Sequence, residues 1–275
     1  MDRASITVRR PSFGFPASLD PVVIEGCPEE SCMIVGLSLL LPYLEPYLIR
    51  TMNEAKKEVR DPALLADLTA FNGQEGQHYR QHMRFNEALH LQGFTGLEAL
   101  EAEVDADYRR FTETRSLRWN LAYAEGFEAY TSALAQFSFE HGTLDRMRPE
   151  ARDVFAWHLA EELEHRTVAF DVYEHVAKGY LYRLFVGWFA QRHLNRFVLR
   201  AARVLTDHDP AAFRARYGGA RRAWARLRPL IGLLARRLLP RILATYLPWY
   251  TPHRIPTPEG VRLLLEKYTA PAASP

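Results

Sequence analysis

The sequence predicts an all-α protein built on a four-helix bundle. Three observations carry that prediction. From residue 35 onward, apolar side chains recur at spacings of three and four, the helical period. Alternating strand patterns almost vanish over the same length. The periodic segments are separated by Pro and Gly punctuation at Asp61-Pro62, Gly93, Gly142, residues 207–210, Gly218-Gly219 and the Pro-rich stretch 248–258.

Taken in order, residues 1–34 are rich in Pro and Gly with short β-like runs, and read as an extended arm. Helices are expected at 35–58, 62–91, 96–112, 115–140, 149–178, 180–206, 219–247 and 258–268. Asp61 is a natural N-cap, with Pro62 suited to the first helical turn. Four long helices before residue 180 suffice for a bundle over 35–180. Residues 181–275 form a basic, amphipathic helical region expected to pack on it.

Composition narrows the class. The chain has 275 residues, 48% of them hydrophobic, enough to bury a core and to argue against disorder. Its two cysteines, Cys27 and Cys32, exclude a disulfide scaffold, and a lone C-x4-C pair is a poor zinc signal; they read as ordinary thiols in a reducing cytosol. The first sixteen residues lack the apolar run of a signal peptide, and the best spanning candidate, 33–49, is interrupted by Pro42, Glu45 and Pro46. A soluble, cytoplasmic protein is expected, at most peripheral to the inner face of the membrane. Charge is divided: from Val176 onward there are 18 Lys and Arg against four Asp and Glu, whereas the first 175 residues hold 17 against 29. An acidic half suits cations and a basic half an anionic partner or surface.

The chemistry resides in two Glu-x-x-His units, Glu75-Gly-Gln-His78 and Glu162-Leu-Glu-His165. At i and i+3 on a helix, carboxylate and imidazole project from one face and reach the same ion. A bundle holding two iron or manganese ions combines such a unit on each of two helices with one Glu from each of the other two. Glu45 and Glu128 supply these, 30 residues before Glu75 and 34 before Glu162. A lone Glu-x-x-His is common on solvated helix faces, so neighbours decide. Glu45 shares its face with Leu41, Leu48 and Met52, Glu75 with Leu68 and Phe71, Glu128 with Leu121 and Ala135, and Glu162 with Phe155 and Leu159. Burying four carboxylates without cations costs several kcal/mol per group. A salt-bridge cluster would need several buried Arg or Lys here, and only Arg166 suggests itself. Metal is the stronger reading. Glu125 rivals Glu128 from one turn away and is assigned a supporting role. His82 and His158 are additional ligands or proton carriers, or hydrogen-bonded core histidines. Gln74 and Glu161, just before the ligand glutamates, can orient the opposite histidine through its free ring nitrogen.

The stretches LSLLLPYLEPYLIRTMNEA, FNGQEGQHYRQH, EGFEAYTSALA and WHLAEELEHRTVAFDVYEHV resemble the ferritin-like di-iron carboxylate superfamily. More closely, the chain resembles the bacterial family described as "predicted metal-dependent hydrolase", over about residues 5–180, with a looser echo at WYTPHRIP. Two departures concern the first ligand: Leu44-Glu45 stands where Gly-Glu is usual, and Pro46 follows. The superfamily resemblance implies two iron ions, with manganese as the alternative, and dioxygen-dependent oxidation of a small apolar substrate. Oxidation is the expected reaction; hydrolysis through a metal-bridged hydroxide, which the closer family's description implies, is the alternative, and a non-enzymatic metal-binding bundle is a third class. Phe127, Tyr130, Phe170 and Tyr173 are candidates to wall an apolar pocket. Expected partners are the substrate, an electron-donor protein, a second copy in a homodimer, and a membrane surface met by the basic C-terminal helices. No groove-reading motif points to nucleic acid.

Overall fold

The computed structural model describes residues 6–269, and all regular structure among them is helical apart from one isolated antiparallel bridge, Ile24–Met147. Residues 6–27 run over the bundle without helix. Four long helices form the frame: α1 (Pro28–Ala55), α2 (Pro62–His90), α4 (Leu117–Glu140) and α5 (Pro149–His165), with α3 (Leu97–Thr114) inserted between the two halves. The first helix begins at Pro28, seven residues earlier than its apolar pattern suggests. A proline in its first turn and Glu29 and Glu30 beside it favour that start.

Prolines 42 and 46 do not end α1. A proline inside a helix frees the carbonyl four residues back. For Pro42 that carbonyl belongs to Ser38, and Asn86 Nδ2 on α2 donates to it at 2.8 Å. The lost helical bond becomes an interhelical one. By length and composition α1 could cross a membrane, but most of it is buried here against α2, α3, α4 and the later helix Tyr180–Asp207. The α2 and α4 starts follow their caps, with Asp61 accepting from the Ala63 amide at 2.9 Å and Ser116 from that of Trp119.

The expected helix 149–178 is two: α5 ends at His165 and α6 covers Val168–Val176. At the break Arg166 bonds back to the Leu163 carbonyl and reaches the Ile255 carbonyl at 2.9 Å, tying the C-terminal segment to the end of α5. Beyond α6, α7 (Tyr180–Asp207) packs against both α1 and α4. It crosses α4 at Gly126 and Gly187; a Cβ on Gly126 would lie 2.2 Å from the Gly187 Cα. Then come α8 (Pro210–Tyr217), α9 (Ala220–Leu233), a π-helical turn Leu234–Leu238, α10 (Leu239–Ala244) and α11 (Glu259–Thr269). The pattern-based helix 219–247 is thus divided at a π turn just before Pro240, and α8 was not expected.

Candidate metal centre

All six proposed ligands meet inside the bundle. α1 carries Glu45, α2 carries Glu75 and His78, α4 carries Glu128, and α5 carries Glu162 and His165; each is buried. Their donor atoms fall into three groups able to hold an ion: Glu45 with His78 and His158, Glu75 with Glu128 and His165, and Glu75 with His78 and Glu162. The first two groups share no residue, and the third joins them.

Both histidines are aimed by their opposite helix. His165 Nδ1 lies 2.9 Å from Gln74 Oε1, and its Nε2 is left facing Glu75 and Glu128, each 3.4 Å away, and Glu162 at 3.6 Å. His78 Nε2 lies 3.0 Å from Glu161 Oε2, which turns its Nδ1 toward Glu75 Oε1 at 3.6 Å. Fixing one ring nitrogen on an outer acceptor sets the tautomer and presents the other to a cation. Gln74 is itself held, its amide donating to Glu164 Oε2 at 2.6 Å and to the Thr7 carbonyl at 2.9 Å.

His158 belongs to the cluster wall. It stacks on His78 with ring centroids 4.1 Å apart, its Nε2 lies 3.0 Å from Glu162 Oε1, and its Nδ1 lies 2.8 Å from His82 Nε2. His82 stands behind it, its Nδ1 2.8 Å from Ser38 Oγ, which in turn donates to Asn86 Oδ1 at 2.7 Å. Glu125 is elsewhere: its carboxylate forms a buried pair with Arg183 at 2.7 Å, so it does not stand behind the ligands. Arg166 is likewise no counter-ion to the ligands, since its bonds go to backbone carbonyls. Of the four aromatics considered for a pocket, Tyr130 lines an apolar cavity, whereas Phe127 and Tyr173 are core and Phe170 packs edge-on against Tyr250.

Three contributors escaped sequence reasoning. Arg9, in the arm, is buried and pairs with Glu161 at 3.1 Å and Glu164 at 2.7 Å. Glu164 ties Arg9 to Gln74. Thr131 Oγ1 donates to Glu162 Oε2 at 2.5 Å. The only sequence signal for Thr131 is its i+3 spacing from Glu128; Arg9 and Glu164 carry none that separates them from surface charges.

The electrostatics are those of a cation trap. Both oxygens of Glu45 and of Glu128, Glu75 Oε1, His78 Nδ1 and His165 Nε2 are buried without a hydrogen-bond partner. Burial, and then the charges of Glu75, Glu162 and Glu128, raise Glu45 well above its ordinary range. Burial and Glu162 raise Glu128 to about 8. Burial opposes charge on His78 and His165, but nearby carboxylates outweigh it: Glu161 and Glu75 bring His78 to about 9, and Glu128 and Glu162 raise His165 well above its ordinary value. Burial likewise opposes charge on Glu162, and its histidine contacts overcome that, holding it well below the usual carboxylate range. Converging buried oxygen and imidazole donors, several of them without a hydrogen-bond partner, fit hard or borderline divalent cations.

Beside the centre lies a cavity of about 220 Å³ between α1, α4, α5, α7 and the π turn, walled by Leu37, Tyr130, Leu134, Phe155, Leu159 and Leu234 among others. Leu159 is one turn before Glu162, and Leu134 one turn after Thr131.

The family model described as "Predicted metal-dependent hydrolase" matches residues 7–255. Comparison with curated proteins and with solved structures gives no match.

Proposed function

The chain belongs to the predicted metal-dependent hydrolases, and from that premise we propose that it holds two divalent cations between its four bundle helices and hydrolyses a small, largely apolar substrate. The observation that supports this best is the pair of donor groups with no residue in common, Glu45/His78/His158 and Glu75/Glu128/His165, joined through Glu75, His78 and Glu162. Paired cations a few ångströms apart lower the pKa of bound water and polarise the bond to be cleaved.

The chain's own residues do the rest. Four glutamates would supply the negative charge that two divalent ions require, and His78, His158 and His165 would complete the donor sets. Gln74 and Glu161 hold the two imidazoles in register, anchored in turn by Glu164 and Arg9. Thr131 fixes one oxygen of Glu162 and His158 the other, so that carboxylate is held on both sides. The largely apolar cavity suits a hydrocarbon portion of substrate.

One observation favours a second reading. Four carboxylates with few histidines, placed crosswise on four helices, form the donor set of ferritin-like di-iron proteins, which implies dioxygen-dependent oxidation with an electron-donor protein. One experiment separates the two. The full chain is stripped of cations and reloaded with Mn(II), Zn(II) or, anaerobically, Fe(II), then assayed against nitrophenyl esters and phosphoesters and exposed to dioxygen. Hydrolysis that requires cations and is lost in Glu162→Ala supports the proposal. No hydrolysis, with a transient coloured species in the ferrous protein, replaces it with oxidation.

A further inference from the structure

The C-terminal helices carry an apolar, arginine-rich face that the metal centre does not use. Leu181, Phe185 and Trp188 stand at i, i+4 and i+7 on α7, with Leu181 76% and Trp188 53% exposed. Trp224 and Ile231 on α9, Leu239 and Leu243 on α10, and Leu247 and Trp249 beyond it are exposed as well, Trp249 at 67%. The ends of the helices that carry them touch: Tyr180 donates to the Tyr246 carbonyl at 2.6 Å, and Arg183 to the Thr245 carbonyl at 3.3 Å, docking the end of α10 on the first turns of α7.

Such a cluster is unusual on water-exposed helices, where large apolar residues scatter singly. Another side of α9 and the π turn is accounted for, since Leu230, Leu234 and Leu238 line the apolar cavity. Core packing therefore does not explain the outward side. The charges around it are equally one-sided. Arg221, Arg222, Arg228, Arg236 and Arg237 are exposed and form no ion pair among the described residues. Arg228 lies between Trp224 and Ile231 at i+4 and i−3, on the same helical face, and the Arg192 guanidinium sits 5.8 Å from the centre of the Trp188 ring. Trp, Leu and Ile beside unpaired arginines match a bilayer interface whose headgroups are anionic: apolar side chains enter the acyl boundary and guanidinium groups meet phosphate.

We propose that this face, formed by α9, α10 and the start of α7, binds the surface of an anionic lipid bilayer and holds the metal-bearing bundle against it. The inference does not depend on the reaction at the centre. It is tested with the full chain and vesicles of phosphatidylcholine alone or mixed with phosphatidylglycerol, by co-sedimentation at rising salt. Two variants accompany the wild type, one with Arg228, Arg236 and Arg237 changed to Gln, the other with Trp188, Leu243 and Trp249 changed to Ser. All six residues are exposed, and circular dichroism checks that both variants fold. Binding should require the anionic lipid and fall with salt. Each lost arginine should weaken it about fivefold, so that the triple variant binds about a hundredfold less tightly. The serine variant should lose binding even at low salt. Equal binding to both vesicle types, or to neither, overturns the proposal. So does self-association of the wild type in sedimentation velocity, abolished in the serine variant, without vesicle binding; the face would then cover a second copy of the chain.

Discussion

Filling the centre with cations must expel protons, and the number can be worked out from its surroundings. A carboxylate ligand has to be ionised and an imidazole ligand neutral at the coordinating nitrogen. Between pH 6 and 7, Glu128, raised to about 8, and His78, raised to about 9, both carry a proton in the cation-free protein. Glu45 and His165, also raised well above their ordinary values, add up to two more. Protons compete with cations, so affinity falls as pH falls. Each displaced proton contributes about a tenfold change in affinity per pH unit. Glu128 and His78 alone therefore give about a hundredfold loss from pH 7 to pH 6, and all four about ten-thousandfold. The assay is calorimetric titration of Mn(II) into the cation-free protein in buffers of different ionisation enthalpy, which counts protons directly. Release of fewer than one proton per chain, with affinity flat across this range, would refute the reasoning. The donors would then not be the protonated buried groups described above.

Four other outcomes follow from the same geometry. Glu128→Gln should stabilise the cation-free protein while removing a ligand. Its folded pKa, about 8, lies above the ordinary 4.5, so the wild type's stability is full below 4.5 and falls as pH rises toward 8; at pH 7 the amide should recover about 3 kcal/mol, read by urea unfolding at several pH values. Gln74→Leu should lower cation affinity about ten- to a hundredfold, because His165 Nδ1 loses its acceptor, without emptying the centre altogether. Glu125→Gln should leave the bound-cation count unchanged, read by metal analysis of the loaded protein, because Glu125 pairs with Arg183 and not with the donor groups. Gly126→Ala should destabilise more than Gly187→Ala in thermal unfolding, because the added methyl meets backbone at 2.2 Å in the first case and at 3.3 Å in the second.

The bundle was legible because burying one face of a helix imposes a period, and the period survives in the sequence. The two Glu-x-x-His units were legible for a related reason: carboxylates at positions where the period demands apolar residues need an explanation. Gln74 and Glu161 were legible from their place just before each unit's Glu, a position that orients a histidine in such sites, and each lies within hydrogen-bond distance of the opposite histidine. Features set by distant chain were not legible. The break after His165 coincides with the tie from Arg166 to Ile255, 89 residues away, and nothing local announces it. Arg9 gains its meaning only when the arm folds across Glu161 and Glu164. Spacing favoured Glu128 over Glu125, and what sets Glu125 fully apart is its pairing with Arg183, from a helix 58 residues on. The start of α8 is a different case. Asp209-Pro210 is the same cap-and-proline signal as Asp61-Pro62, and the Asp209 side chain does accept from the Ala212 amide at 2.9 Å. The break was recognised there but not the short helix that begins at it.

The most direct test of the central claim is anomalous diffraction from crystals of the manganese-loaded full chain. Two peaks about 3.5–4 Å apart, one beside Glu45 and His78 and the other beside Glu128 and His165, with Glu75 and Glu162 between them, are the predicted result. No peak within the bundle, or one bound only by surface carboxylates, would contradict it and leave the buried glutamates and histidines as a polar network without a cation.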